Sequence, residues 1–181
     1  MNKNRFFILS ISTFYTLIFL ILGCGDLKTV SSFNPPESRL SKYKALEIAD
    51  FETQIDNVPK DALTAIPDEV AKLLASKKDT FQKVERREIG DVPAEDTLIL
   101  LGEVTDYQSG KSIKAKEGAI KFGEASLTIH IRLVDKATGD EVASGDVSGS
   151  SSIGFLKSVG VTKGVYKGIS EEIVKSISQG H

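Results

Sequence analysis

The sequence predicts an α+β fold, a two-layer domain in which two helices cover a mixed, largely antiparallel sheet, preceded by a signal peptide and a tether. Three observations predict it. Glu124 to Asp135 alternates with a period of two, setting Leu127, Ile129, Ile131 and Leu133 on one face and Ser126, Thr128, His130 and Arg132 on the other, as in a strand with one wet side. Thr97 to Leu101 is a continuous apolar run that turns to alternation by Tyr107, the mark of a central strand leaving a covered core. Val161, Val165, Ile169, Ile173 and Ile177 recur every fourth residue, the stripe of an amphipathic helix ending at Gly180.

Composition bounds what the chain can be. Its 181 residues are 40% hydrophobic and 27% charged, ordinary globular values. A single cysteine, Cys24, forms no bridge within the chain, so the domain has to fold on its core alone. Net charge is -2, and -4 once Lys3 and Arg5, the only charges in residues 1–23, are set aside. That mild acidity leaves no electrostatic footprint for nucleic acid and argues against a basic, lipid-binding surface on the domain body.

The N-terminus reads as a signal sequence of residues 1–23: Lys3 and Arg5, then an apolar stretch of 17 residues from Phe6 to Leu22, then the small Gly23. Ile21-Leu22-Gly23-Cys24 resembles the lipobox of bacterial lipoproteins, which implies cleavage between Gly23 and Cys24 and lipid attachment at the Cys24 thiol. An uncleaved membrane helix is the alternative, but 17 residues sit at the short limit for a bilayer core of roughly 30 Å, and an anchor of that kind has no need of a cysteine at its end. Two or more acyl chains hold a protein durably on a membrane. The resemblance also implies an outer-membrane location facing the periplasm, since the residue after the cysteine is Gly25, and Asp26 comes one later.

Residues 24–41 read as the lipidated N-terminus and a flexible tether, with Pro35-Pro36, serines and no apolar period. A single globular domain is expected over residues 42–181. Within it, Tyr43 to Phe51 suits a first strand, and Asp56 to Pro67 a loop. Asp68 to Lys77 fits a helix opened by Pro67, with acids in its first turn and lysines in its last. Phe81 to Glu85 is a short strand. Gln108 to Phe122 is a long connection with four lysines, Lys111, Lys114, Lys116 and Lys121, against Glu117, and these form the candidate partner-contacting loop. Lys136 to Gly139 turns the chain, Glu141 to Val147 returns as the second arm of a hairpin, and Gly145 to Gly160 reads as a pliable connection.

No catalytic set stands out. A lipidated Cys24 removes thiol nucleophiles and zinc-thiolate sites together. His130 is the only internal histidine and falls on the wet strand face; His181 is terminal. Gly149 and Gly154 have the spacing of a phosphate-binding loop, but Phe155 and Leu156 stand where it needs Lys and Ser or Thr. The chain is therefore expected to be no enzyme and to hold no cofactor and no metal.

The residues Leu101 to Gly110, Gly123 to Leu127 and Arg132 to Val142, with Lys42 to Glu52, resemble the bacterial lipoprotein family called domain of unknown function 4410. More distantly, the element order is similar to the small domains of envelope lipoproteins. The resemblance implies a lipid-anchored accessory or binding module of the cell envelope, touching the membrane through Cys24 and an envelope protein through its domain. A subunit of a self-assembling secretion complex is the alternative. An envelope hydrolase using His130, Asp106 or Asp135 comes last.

Overall fold

Backbone pairing in the computed structural model, which describes residues 27–77, 79–87, 89–109, 112–114, 120–122, 124–152 and 160–180, gives the expected α+β class. The elements are β1 (Leu27–Ser31), α1 (Glu37–Leu40), β2 (Ala45–Ile48), β3 (Glu52–Thr53), α2 (Ala62–Ala75), β4 (Lys83–Arg86), β5 (Thr97–Ser109), β6 (Ser112–Lys114), β7 (Ile120–Phe122), β8 (Glu124–Asp135), β9 (Glu141–Ser152) and α3 (Gly160–Gln179). The main sheet runs β1-β9-β8-β5-β2-β4, with β3 added beside β5. Strand β2 is parallel to β4 and β5, and β3 is parallel to β5; the β5, β8, β9 and β1 ladders are antiparallel. Strands β6 and β7 pair with each other as a separate hairpin.

Alternation in β8 does what its sequence requires. Leu127, Ile129, Ile131 and Leu133 are all buried, and they meet the buried stripe Val165, Ile169, Ile173 and Ile177 of α3 in one continuous core. Helix α2 adds Ile66, Val70 and Leu74 beside the strand residues Leu46, Ile48, Leu98 and Leu100. Each such side chain contributes about 1.5–3 kcal/mol on leaving water, so the two helices and one sheet face supply most of the driving force. The two helices also touch directly, where the buried Ser170 hydroxyl donates to the Ile66 carbonyl at 3.2 Å.

Four expectations change. The tether is the largest: residues 27–41, read as flexible linker, belong to the domain. Strand β1 pairs along β9, and Phe33 and Leu40 lie in the core. The segment is too short and too rich in proline and serine to show a period, yet two large apolar side chains suffice to dock it.

Helix α2 begins at Ala62, well before Pro67, which sits inside it. Proline has no N–H to give the carbonyl four residues back. That carbonyl belongs to Leu63 and accepts instead from the Phe51 N–H at 3.0 Å, which removes much of the penalty.

The lysine-rich connection from Gln108 to Phe122 is partly ordered pairing, because β5 continues to Ser109 and β6 and β7 follow. Strand β9 likewise runs to Ser152, through the first half of the glycine- and serine-rich stretch expected as a pliable link; residues 153–159 lie outside the described residues. Its glycines mark close approach. A Cβ on Gly145 would lie 2.6 Å from Phe33 Cα and 2.8 Å from Phe33 N, so the β1 segment can reach the sheet only over a bare backbone.

Replacing Gly145 by Ala is therefore expected to lower stability by about 1–3 kcal/mol, since the opposing atoms are main chain and cannot swing away. Gly90→Ala, where a Cβ meets nothing within 4 Å, should change stability by less than about 0.5 kcal/mol. Urea midpoints of the two variants check this; equal midpoints would count against the close-approach explanation.

Candidate interaction surface

The sheet face turned away from the helices is polar because the same alternation that buries one side of β8 exposes the other. Register places Glu103, His130 and Asp146 in one row across β5, β8 and β9, and Leu101, Arg132 and Ser144 in the next. A bulge between Val104 and Asp106 leaves Thr105 as the extra residue and brings Asp106 level with Thr128 and Ser148, with Val30 of β1 beyond. Glu103, Arg132 and Asp146 are exposed, His130, Thr128 and Ser148 half-buried.

Hydrogen bonds tie the rows together. His130 Nδ1 donates to Asp146 Oδ1 at 2.7 Å, and the Thr128 and Ser148 hydroxyls meet at 3.0 Å. The Asp146 N–H donates to Ser32 Oγ at 2.9 Å, and the Ser32 N–H to the Asp146 carbonyl at 2.8 Å, which extends the row onto the segment after β1. The result is a sheet face of hydroxyls, one imidazole and charges of both signs. It suits a broad polar contact better than enclosure of a small molecule.

At one end of the sheet lies a buried polar cluster that sequence reading missed. Asp135 Oδ2 accepts from the Tyr43 hydroxyl at 2.7 Å and from Lys42 Nζ at 3.4 Å. Its Oδ1 accepts from the Ala137 and Thr138 amides at 2.9 and 3.2 Å, and the turn closes with Gly139 at φ 78° and its N–H on the Asp135 carbonyl at 2.8 Å. The Tyr43 hydrogen bond holds the Asp135 carboxyl below the usual carboxylate range, against the opposing effect of burial and with help from the two amides and Lys42. Asp followed four residues later by Gly is a turn signature, and it was the one sequence signal for this cluster. Nearby, Glu47 is buried, accepts from the Ile89 N–H at 2.8 Å and pairs with Lys136. The arrangement is structural: both oxygens of Asp135 and one oxygen of Glu47 accept from donors of their own fold.

Among the sequence-predicted residues, Gly23, Cys24, Lys111, Lys116 and His181 lie outside the described residues. Lys114 and Lys121 stand on β6 and β7, across from Ile120 and Ile113. His130 is where the alternation predicts, on the wet face. Asp135 is five residues along β8, about 17 Å away at roughly 3.3 Å per residue, and faces the Tyr43 side, so the two do not share a site. Asp106 lies nearer, level with Thr128. Among the described residues, no three His, Cys, Asp or Glu side chains are grouped as metal ligands. An open depression of about 370 Å³ between residues 41–44 and 79–82 is lined by Lys42, Lys44, Asp79 and Phe81 among others.

No protein-family model and no curated protein matches this sequence. Solved structures do. PelC from Paraburkholderia phytofirmans, crystallised as a dodecamer, superposes with a TM-score of 0.51 at 13% identity, over 87% of this chain and 97% of that one. A neuraminyllactose-binding hemagglutinin homolog from Helicobacter pylori does so with a TM-score of 0.51 at 12% identity, over 81% and 88%. At such identities the likeness shows the fold alone. It bears out the α+β two-layer class, while the resemblance to domain of unknown function 4410 rests on the residues quoted for it.

Asp135 gives this region a pH-dependent stability. Its folded-state pKa is depressed, so the stabilisation is present above the unfolded value of about 3.9 and is lost as pH falls through the folded one. Tyr43→Phe should cost about 1.5–3 kcal/mol at neutral pH, the worth of a hydrogen bond to a charged group. Urea midpoints of variant and parent, followed from neutral pH into strong acid, should converge; a constant gap would mean that the Tyr43 hydroxyl does not act through the ionised carboxylate.

Proposed function

We propose that this chain is a lipid-anchored lipoprotein of the cell envelope, held at the outer membrane through Cys24 and facing the periplasm, where its polar sheet face contacts another envelope protein. The observation that carries the reading is the N-terminal run ending in Ile21-Leu22-Gly23-Cys24, joined three residues later to a folded domain. The row of Glu103, His130 and Asp146 supports a protein contact, since it offers hydrogen bonds and charges across three neighbouring strands. The 4410-family likeness points the same way. No cofactor and no metal enters this reading, and the role is non-catalytic. Lys111, Lys114, Lys116 and Lys121 remain candidates for contact.

Self-assembly is the second reading. PelC, similar in fold at 13% identity, is a dodecamer, and here β1 is an edge strand on which Val30 is 70% exposed. Copies of this chain would then meet along that edge.

Growth with a labelled fatty acid should mark the wild-type protein and leave Cys24→Ser unmarked and released from the membrane fraction; a variant that keeps its label would end the anchor reading. For the contact, a photo-crosslinker placed at Ser144 in native membranes should yield adducts with a second protein. Recovery of monomer alone would argue against it, and adducts of twice the monomer mass, abolished by Val30→Glu, would favour self-assembly.

A further inference from the structure

Strand β1 is paired on one side and open on the other. The Ser32 N–H donates to the Asp146 carbonyl, so by alternation Val30 and Lys28 also turn their main-chain groups toward β9. The N–H and C=O groups of Leu27, Thr29 and Ser31 then point off the end of the sheet, where no further strand follows among the described residues. Side chains alternate between the two faces as well. Leu27 and Thr29 lie against Gly168 of α3, which puts Lys28 and Val30 on the polar face.

Two observations point to what covers this edge. Among the described residues the large apolar side chains left exposed are Leu27, at 44%, and Val30, at 70%, and both belong to β1. The other open edge, β4, carries satisfied charges: Lys83 pairs with Asp91 and Glu85, and Arg86 with Asp50 and Asp68. A β4 edge would have to give up those pairs to accept β1. The edge of this chain that suits β1 is therefore β1 itself, in a second copy.

Register follows from the open main-chain groups. With a two-fold axis at Thr29, two antiparallel β1 strands set Thr29 opposite Thr29 and Leu27 opposite Ser31, so all three outward residues enter hydrogen-bonded pairs with about six bonds between the copies. An axis at Lys28 would leave Ser31 opposite residue 25, ahead of the strand, and set lysine against lysine. An axis at Val30 would leave Leu27 opposite Phe33, whose N–H already donates to Ser31 Oγ at 3.1 Å. The axis at Thr29 also puts Lys28 across from Val30 of the other copy, where its alkyl stem can cover the valine while the ammonium stays in water.

We infer that β1 is a homodimerisation edge: two copies join β1 to β1, antiparallel about Thr29, into one continuous sheet with both α3 helices on the same face. This deepens the self-assembly reading and rests on it. An isologous pair uses the edge up, so assembly through β1 closes at two copies.

Two differently tagged copies of the full chain, one carrying Lys28→Cys and the other Val30→Cys, are produced together and mildly oxidised. In this register Cα atoms 28 and 30 of opposite copies stand about 4.5 Å apart, within disulfide reach, whereas 28 to 28 and 30 to 30 are about 8 Å apart, beyond it. The expected product is a disulfide joining the two tags, mapped to residues 28 and 30, with little joining like tags. It should be lost when Thr29→Pro is added to both copies, since that proline removes an outward N–H and leaves the bonds to β9 in place. Like-tag disulfides as abundant as the mixed one, a mixed disulfide that survives Thr29→Pro, or no disulfide while the photo-crosslinker at Ser144 still yields adducts of twice the monomer mass, overturns the inference and leaves self-assembly standing. Monomer alone in both assays ends both.

Discussion

Strand β1 forms five residue pairs with β9, from Leu27 opposite Ser151 to Ser31 opposite Val147, and much else follows from that ladder. It exists only because the surfaces on both sides of it are bare. Gly145 lets the Phe33 backbone lie against β9, and on α3 the absence of a side chain at Gly168 makes room for Leu27 and Thr29, where a Cβ would come within 2.9 Å of Leu27 Cδ2. Once β1 is laid down, Phe33 and Leu40 enter the core and the Ser31 hydroxyl comes within 3.5 Å of that of Ser176. The segment nearest Cys24 in sequence is in this way built into the layer that folds the protein.

Far from that segment, the sheet is closed by two buried carboxylates that differ from a surface ion pair in kind. Asp135 has four donors and Glu47 receives the Ile89 amide and Lys136. A buried charge left without partners costs several kcal/mol, so such clusters tolerate only the geometry that satisfies them. Here they tie β2, the loop at 89–91 and the β8–β9 turn into one unit. The Arg86 pairs with Asp50 and Asp68 are solvated by comparison and contribute little beyond orientation.

What the sequence made legible follows from periodicity. β8 and α3 announce themselves because each carries an unbroken apolar stripe, and the order of a central strand, hairpin and C-terminal helix follows from Thr97 onward. β1 did not, since Leu-Lys-Thr-Val-Ser is five residues long and its pattern is set by what it packs on. Pro67 misled for a local reason: its rule concerns a missing N–H, and only the fold shows that Phe51 supplies another. The serine and glycine content of β9 looked like flexibility, whereas the small side chains are what two neighbours require. Asp135 and Glu47 were hidden because a buried carboxylate is recognised by its donors, and those donors come from residues 42–43 and 89, distant in sequence.

The two open edges of the sheet are treated differently, and the difference bears on assembly. On β4, Lys83 pairs with Asp91 and Glu85, and Arg86 with two aspartates, so an approaching strand would have to disrupt a row of satisfied charges. On β1, Val30 projects beside Ser148 with 70% of its surface in water. With the lipid proposed at Cys24, three residues before Leu27, this edge would stand within about 11 Å of the lipid and would meet most often other edges held at the same height. On the proposed lipid anchor, anchoring and edge exposure would reinforce one another: the segment that would fix the domain on the membrane also presents the less guarded edge.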